Sequence, residues 1–229
     1  MWFALSLSLV MVAYNNAVNR WEPFHKAAYV PVNLTFTGAI MLVTAATLEP
    51  SRAELGLQGD ITDAGVSLAV VAGFGIGALV FARSRHAHRI ADRRVVGLSG
   101  GALAYHVLAR IPLGTAVVEE VLFRGVLFAA WRDTGMSTLG AALCASLAFG
   151  LWHISPTMLG IRINNPHAGG AKLRATVLGA VLVTTIAGLG LTWLRVRSGG
   201  LIAPILLHGG INAVSALAAV RAGRHREHP

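Results

Sequence analysis

Two adjacent glutamates interrupt the largely apolar stretch from Gly114 to Ala130. In a helix, Glu120 and Arg124 lie four residues apart on one face, so they can form an ion pair. Glu119 points about 100° away from Glu120 and is not tied to that arginine. A carboxylate that is clamped by an arginine stays ionised, which leaves the other carboxylate to move protons. A purely structural ion pair near the membrane edge is the alternative.

Two histidines belong to other apolar stretches. His153 ends one of them, and Phe149 lies one turn earlier on the same face. His208 and Asn212 are four residues apart in a later stretch, again on one face. Together with a glutamate, they supply a base, imidazoles and an amide donor, which are the groups that water activation and oxyanion stabilisation require. The structural alternatives are a helix-end dipole partner for His153 and an interhelical hydrogen bond for His208 and Asn212.

One carboxylate and two imidazoles are also enough to bind a catalytic zinc ion that keeps an open position for water. The ligands would be Glu119, His153 and His208. The glutamate stretch has no pair of histidines as in H-E-x-x-H, so the two histidines would have to converge from different helices. Zinc is therefore a possible cofactor, and the sequence leaves its presence open.

The composition places these residues in a lipid environment. The chain has 229 residues, of which 55% are hydrophobic and 13% are charged, whereas soluble domains carry about 25% charged residues. The net charge of +9 first suggests a nucleic-acid partner. The basic residues lie between apolar spans, however, which the positive-inside rule explains better, so we expect no nucleic-acid partner. The single cysteine, Cys144, excludes an internal disulfide and a zinc site built on several thiolates.

A transmembrane helix requires about 20 largely apolar residues. The sequence predicts an all-α polytopic membrane bundle of about seven to eight transmembrane helices, with residues 1–229 as a single integral membrane domain. The seven spans expected to cross are Trp2–Tyr14, Ala27–Leu48, Ala64–Ala82, Leu113–Trp131, Thr138–Trp152, Ala175–Leu194 and Leu201–Val220. An eighth apolar stretch, Val95–Ala109, contains His106, and we expect it to be re-entrant or not to cross the membrane.

The charges of the loops predict the orientation in the plasma membrane. The loop Arg83–Arg94 contains five arginines and a single acid, so it is expected in the cytoplasm. Glu119 and His153 would then lie near the cytoplasmic ends of their helices and His208 near mid-depth, around a cavity that opens to the cytoplasm. The preceding loop is acidic and expected outside; its acids are Glu49, Glu54, Asp60 and Asp63.

Three motifs, Glu119-Glu120-Val-Leu-Phe-Arg124, Phe149-Gly-Leu-Trp-His153 and His208-Gly-Gly-Ile-Asn212, follow one another on successive apolar stretches. In this order they resemble the CPBP family of CAAX prenyl proteases and bacteriocin-processing proteins, which is also called the Abi family. The resemblance covers about half of the chain and implies a catalytic core at residues 113–219.

The resemblance implies an intramembrane endopeptidase that acts on a membrane-associated or prenylated-type peptide or protein, and the family is often described as metalloproteases. Glu119 would be the general base, assisted by His153, and His208 with Asn212 would stabilise the oxyanion. Glu120 would belong to the catalytic set as the alternative to Glu119 for the base, and paired with Arg124 it would mainly give structural or electrostatic support. Arg124 and Phe149 of the second motif would be supporting residues.

Two other functions stay open. The first is a non-catalytic bacteriocin-immunity or scaffold protein, although an unused site has no physical reason to keep buried charges. The second is a proton or metal transporter, because acids and histidines at mid-membrane are typical of ion relays. The chain has no internal repeat of the kind found in many transporters, which weighs against this second function.

Overall fold

The computed structural model describes residues 1–21, 28–59, 61, 63–98 and 100–224. These residues form helices and contain no strand, only an isolated bridge between Leu57 and Gly200. The predicted all-α class is confirmed. Asp60, one of the four acids of the predicted outer loop, lies outside the described residues. The helices are α1 Trp2–Val18, α2 Tyr29–Leu48, α3 Ala64–Phe81, α4 (100–133), α5 Thr138–Trp152, α6 Ile154–Asn164, α7 Gly170–Ser198 and α8 Ile202–Arg224.

The outer faces of the bundle are apolar. Five helical segments in the described residues are long and apolar enough to cross a membrane: α2, α3, α5 with α6, α7 and α8. Large side chains such as Leu42, Ile76 and Ile186 are exposed on these faces. A helix satisfies its backbone hydrogen bonds internally, which lipid demands. The chain is therefore an integral membrane protein. That α1 and α4 also cross the membrane stays a prediction.

Helix α4 differs from the sequence prediction. Residues 100–133 form one continuous helix, so residues 100–109 are its first part and not a separate segment. Whether Val95–Ala109 crosses the membrane stays a prediction. The helix passes Pro112, which has no N–H to donate, in π-helical rather than α-helical geometry. Because α4 begins at residue 100, Glu119 lies in its middle and not near an end. Such π turns are often found at functional sites; here they are His106–Arg110, Pro112–Val117 and Val121–Leu127.

Helix α4 also forms the core of the bundle. It contacts α1, α2, α5, α7 and α8, and every residue from Leu122 to Trp131 is buried. Helix α7 packs along α5, and α8 packs along α3. Small residues permit the close contacts of α8: Gly209 faces Ala116 of α4, and a Cβ atom at Gly210 would overlap Val71 of α3. These contacts place α8 against the glutamate segment of α4.

Loop contacts define the two ends of the bundle. At one end, the loop after α2 meets the start of α8 through Leu57 and Gly200. At the other end, the arginine-rich segment before α4 meets the last turn of α6, where Asn164 donates to Asp92. We refer to this second end, which includes residues 83–94, as the basic end. Its location in the cytoplasm stays a prediction.

Asp92 joins the basic segment to α6. Burial raises the pKa of Asp92, but hydrogen bonds from Arg94 and Asn164 outweigh burial and lower the pKa from its usual 3.8 to about 2. The charged form of Asp92 therefore stabilises the fold above about pH 4, and this contribution is lost as the pH falls toward 2.

We expect Asp92→Asn to lower the melting temperature at neutral pH, and the difference in melting temperature from the wild type to shrink between pH 4 and pH 2. Thermal unfolding in detergent measures both, and a difference independent of pH would contradict the assignment.

Candidate active site

Helices α4, α5 and α8 bring the glutamates and both histidines together. Glu119 Oε2 lies 3.8 Å from His153 Nε2 and 3.7 Å from His208 Nε2. The Glu120 side chain is completely buried and that of Glu119 is 6% exposed, while those of His208 and His153 are 11% and 22% exposed. The site is thus most accessible from the side of His153.

Glu120 is part of a buried hydrogen-bond network with Arg124 and His208. Its Oε1 atom accepts a hydrogen bond of 3.0 Å from Arg124 and one of 2.7 Å from His208 Nδ1. The predicted pairing of Glu120 with Arg124 is therefore present, and His208 is a further partner that the sequence did not indicate. Because Nδ1 donates to Glu120, Nε2 is the ring nitrogen of His208 that faces Glu119.

His153 lies at the junction of α5 and α6. Its Nδ1 atom is 2.7 Å from the Phe149 carbonyl oxygen, so Nδ1 carries the proton and Nε2 faces Glu119. The Phe149 ring packs edge-on against the His153 ring at 4.6 Å, and the Arg124 guanidinium lies 4.1 Å from the centre of the Phe149 ring. Phe149 thus separates His153 from the buried arginine and fixes the orientation of the imidazole.

Two asparagines of α1 hold this junction in place. The Asn15 and Asn16 side chains donate to the Trp152 and Leu151 carbonyl oxygens, at 2.7 and 3.0 Å. The Asn16 side-chain oxygen accepts a hydrogen bond of 2.8 Å from the Ser155 backbone N–H. These bonds satisfy backbone groups that the end of α5 and the start of α6 leave unpaired. Sequence reasoning missed both asparagines, because each lies over 130 residues from its partner.

Trp152 orients Glu119. Its indole N–H donates to Glu119 Oε1 at 3.1 Å, and its ring is fixed edge-on by Phe123 at 5.3 Å. Both side chains are buried. The other carboxylate oxygen, Oε2, has no hydrogen-bond partner within the described part of the chain, and it is the oxygen that faces the histidines. One feature of the sequence could have indicated that Trp152 orients Glu119, because Trp152 directly precedes His153 of the second motif.

We expect Trp152→Phe to slow turnover by about 10- to 100-fold, because a hydrogen bond to a charged group contributes about 1.5–3 kcal/mol. The aromatic packing is kept, so the fold should persist. The matched control is Trp131→Phe, which removes an indole hydrogen bond to Ser8 outside the site. Rates of peptide cleavage measure the effect, and an equal loss in both variants would indicate a general packing defect instead.

Asn212 lies one helical turn after His208 on α8 and is half-buried. The geometry thus brings together Glu119, Glu120, His153 and His208, with Arg124 and Phe149 packed against them. Asn212 follows on the same helix. The catalytic roles of all these residues stay predictions.

The groups predicted to bind zinc lie farther apart than the ligands of a tetrahedral zinc ion. Ligand atoms about 2.0–2.1 Å from such an ion lie about 3.3 Å from one another. Glu119 Oε2 lies 3.8 Å from His153 Nε2 and 3.7 Å from His208 Nε2. Among the described residues, no group of three or more His, Cys, Asp and Glu side chains could hold a metal ion. The zinc expectation for Glu119, His153 and His208 therefore stays a prediction without support from the geometry.

Comparison with protein families identifies the segment that carries the site. Residues 101–214 match the family described as type II CAAX prenyl endopeptidase Rce1-like. The chain matches no curated protein and no solved structure. The match includes all three motifs and confirms the family resemblance seen in the sequence. Through these residues, the chain belongs to the Rce1-like family of type II CAAX prenyl endopeptidases, which are membrane proteases.

Proposed function

We propose that this protease hydrolyses a peptide bond of a membrane-associated substrate with a water molecule activated by Glu119. The observation that carries the proposal is the buried Oε2 atom of Glu119, which lies 3.8 and 3.7 Å from the Nε2 atoms of His153 and His208. These separations exceed hydrogen-bond length and suit a bridging water molecule. A carboxylate in these surroundings is a strong candidate for a general base.

The proposed reaction uses these groups in two steps. Glu119 takes a proton from the water molecule, with His153 orienting it, and the water oxygen bonds to the carbonyl carbon. The carbonyl oxygen gains the electron pair of the C=O double bond and becomes an oxyanion. Collapse of this intermediate breaks the C–N bond, and the departing nitrogen receives the proton held by Glu119. The products are a new amine and a new carboxylic acid, which releases the second proton of the water molecule to solvent and becomes a carboxylate.

His208 is the proposed donor to the oxyanion, with Asn212. The His208 ring lies between two carboxylates, since Glu120 contacts Nδ1 and Glu119 faces Nε2. The proposed role requires a proton on each ring nitrogen, with Nδ1–H donating to Glu120 and Nε2–H available to the substrate. The Nε2–H group would then donate to the developing negative charge, which is worth most in a buried site. Glu120 and Arg124 support this step by fixing His208.

The surroundings of the site favour an apolar substrate that reaches it within the membrane. A cavity of about 350 Å³ lies beside α1 and α2. One of its walls, Tyr14, also packs against Trp152, with ring centres 6.1 Å apart. We propose that the cavity accepts an apolar or prenyl group close to the scissile bond. Its lining residues are Tyr14, Pro31, Val32, Thr35 and Phe36.

We further propose a plasma-membrane location, with the basic end in the cytoplasm and the site opening toward it. The support is the arginine content of residues 83–94. In this orientation α1 starts outside, and His153 lies at the cytoplasmic end of α5.

The proposed activity is tested with the purified full-length chain in lipid nanodiscs. The substrates are a farnesylated C-a-a-X peptide and the same peptide without the farnesyl group, and the products are identified by mass spectrometry. We expect cleavage of the farnesylated peptide by the wild type and none by His208→Ala. A folded wild type that cleaves neither peptide would favour the immunity, scaffold or transport functions; metal or proton uptake into liposomes would support transport.

Treatment with a metal chelator decides the zinc expectation. Because Glu119 Oε2 lies farther from both histidine nitrogens than the ligands of a tetrahedral zinc ion lie from one another, we expect cleavage to continue after chelation and dialysis. Loss of cleavage that zinc alone restores would contradict this expectation and favour Glu119, His153 and His208 as ligands.

A further inference from the structure

A second cavity, of about 250 Å³, lies at the end of the bundle opposite the basic end. Three elements form it: the loop after α2, the last turns of α4 and the end of α7. None of its residues belongs to the three motifs of the candidate active site. Two cationic and two acidic side chains line this one cavity, together with an apolar wall. The lining residues are Glu54, Phe128, Ala129, Arg132, Asp133 and Arg195.

Arg195 is the buried cation of this cavity, since it is only 6% exposed. Its Nη2 atom donates to the Ala53 and Glu54 carbonyl oxygens, both at 2.9 Å. Within the described part of the chain, its Nε atom is buried without a hydrogen-bond partner, and no acid forms an ion pair with it. A buried charge without an opposite charge is costly, so a ligand that carries an anionic group would stabilise Arg195.

The chain leaves space for this guanidinium at one glycine. Gly56 has a φ of +73°, and a Cβ atom at this position would overlap Arg195 Nε. The loop after α2 can therefore lie directly on the arginine only because residue 56 has no side chain. The arginine occupies a place that the loop is shaped to hold, as expected for a binding residue.

Arg132 is the second cation of the cavity, and it is exposed at the end of α4. It donates a hydrogen bond to the Met136 carbonyl oxygen, which holds the side chain near the helix end. A guanidinium is a planar group that binds phosphate oxygens through two parallel hydrogen bonds. One buried and one exposed guanidinium on the same cavity are suited to the phosphate group of a larger ligand.

Glu54 supplies negative charge from the side of the loop. Its Oε2 atom accepts hydrogen bonds of 2.7 Å from the Ser51 backbone N–H and from the Ser51 hydroxyl. These bonds lower the pKa of Glu54, so the carboxylate is charged at neutral pH. The carboxylates of the cavity repel a simple anion, whereas a ligand that carries both a phosphate and an ammonium group satisfies both signs of charge.

The cavity lies at the level expected for lipid headgroups. Trp193, two residues before Arg195 on α7, is 62% exposed. Exposed tryptophans are enriched at the membrane–water interface, where their rings lie among the headgroups. The apolar wall of the cavity, formed by Phe128 and Ala129, suits the carbon atoms that join a headgroup to its acyl chains.

We propose that this cavity binds the headgroup of a zwitterionic phospholipid with a primary ammonium group, as in phosphatidylethanolamine. The phosphate binds Arg195 and Arg132, and the ammonium donates to Glu54. The bound headgroup gives Arg195 its opposite charge and links α4, α7 and the loop after α2. The inference is independent of the proposed hydrolysis, because the cavity shares no residue with the candidate active site.

Lipid binding to the purified full chain in detergent tests the inference, with bound lipid counted by native mass spectrometry. The probes are phosphatidylethanolamine, phosphatidylcholine and phosphatidylglycerol with identical acyl chains. Phosphatidylcholine keeps the phosphate but its nitrogen has no N–H, and phosphatidylglycerol keeps the phosphate without an ammonium group. We expect the wild type to bind phosphatidylethanolamine about tenfold more tightly than either of the others.

Variants assign this preference to the cavity. We expect Arg195→Gln and Arg132→Gln each to weaken the binding of phosphatidylethanolamine by about tenfold. Because Arg132 is exposed, its variant keeps the test valid if Arg195→Gln fails to fold. Glu54→Gln should bind phosphatidylethanolamine no better than phosphatidylglycerol. The matched control is Arg197→Gln, which removes an exposed arginine of α7 outside the cavity and should keep the wild-type preference.

Equal binding of the three lipids by the wild type would overturn the inference, as would an unchanged preference in both Arg132→Gln and Glu54→Gln. Soluble glycerophosphoethanolamine separates a lipid from a free headgroup as the ligand. We expect it to displace the bound lipid only at much higher concentration, because it lacks the acyl chains. Binding of the soluble compound as tightly as the lipid would show that the cavity takes a soluble ligand, and would overturn the assignment to a phospholipid.

Discussion

Glu119→Gln is expected to reduce peptide cleavage by about 10²- to 10⁴-fold while the bundle stays folded. General-base catalysis contributes about 10²- to 10⁴-fold, and a buried glutamine cannot take the proton of water. The amide oxygen of glutamine can still accept the hydrogen bond from Trp152, so the local packing is kept. Initial rates on a cleaved peptide, compared at equal amounts of folded protein, measure the loss.

The matched control for this prediction is Asp133→Asn, which neutralises an exposed acid at the end of the same helix. It should cleave at the wild-type rate. If Glu119→Gln retained more than about a tenth of wild-type activity, Glu119 would not be the base. Glu120 would then have to be tested for that role.

Arg124→Met is expected to destabilise the protein by about 3–5 kcal/mol, because it removes the guanidinium that pairs with the buried Glu120 carboxylate. The guanidinium and the carboxylate are 1% and 0% exposed and lie 3.0 Å apart. The double variant Glu120→Gln with Arg124→Met removes both charges, so it should recover much of the lost stability. Unfolding by denaturing detergent, followed by circular dichroism, measures each free-energy change.

Arg197→Met is the matched control for the buried pair. Arg197 forms an ion pair of 3.3 Å with Asp63, but its side chain is 58% exposed. Exposed pairs contribute at most about 1 kcal/mol, so this variant should change little. Similar losses from the two arginines, or a double variant as unstable as Arg124→Met alone, would contradict the predicted cost of breaking the buried pair of Glu120 with Arg124.

The sequence was most informative where charged residues interrupt an apolar stretch. A charge inside an apolar helix is costly, so Glu119, Glu120 and Arg124 stood out from their surroundings. Helical spacing predicted the pair of Glu120 with Arg124, and the end of the apolar run predicted that α5 ends at Trp152. These features depend on neighbours within a few residues, and such neighbours are visible in a single sequence.

Other features depend on contacts between distant segments or on unusual helix geometry. Nothing near Asn15 and Asn16 indicates that they bind the end of α5, although their bonds position His153. Both asparagines lie outside residues 113–219, so the predicted catalytic core does not include these two residues that position His153. The start of α4 at residue 100 was missed because Pro112 normally interrupts an α-helix, whereas here the chain continues through π turns.

The most direct test of the central claim is a single turnover in ¹⁸O-labelled water, with enzyme in excess over a cleaved peptide. Water that attacks the peptide carbonyl directly places one ¹⁸O atom in the new carboxylate of the product and none in the enzyme. We expect this pattern in the mass spectra of the product and of the proteolytic fragment that contains Glu119. Appearance of ¹⁸O in that fragment would show that Glu119 bonds to the substrate as a nucleophile, and would contradict its proposed role as a general base.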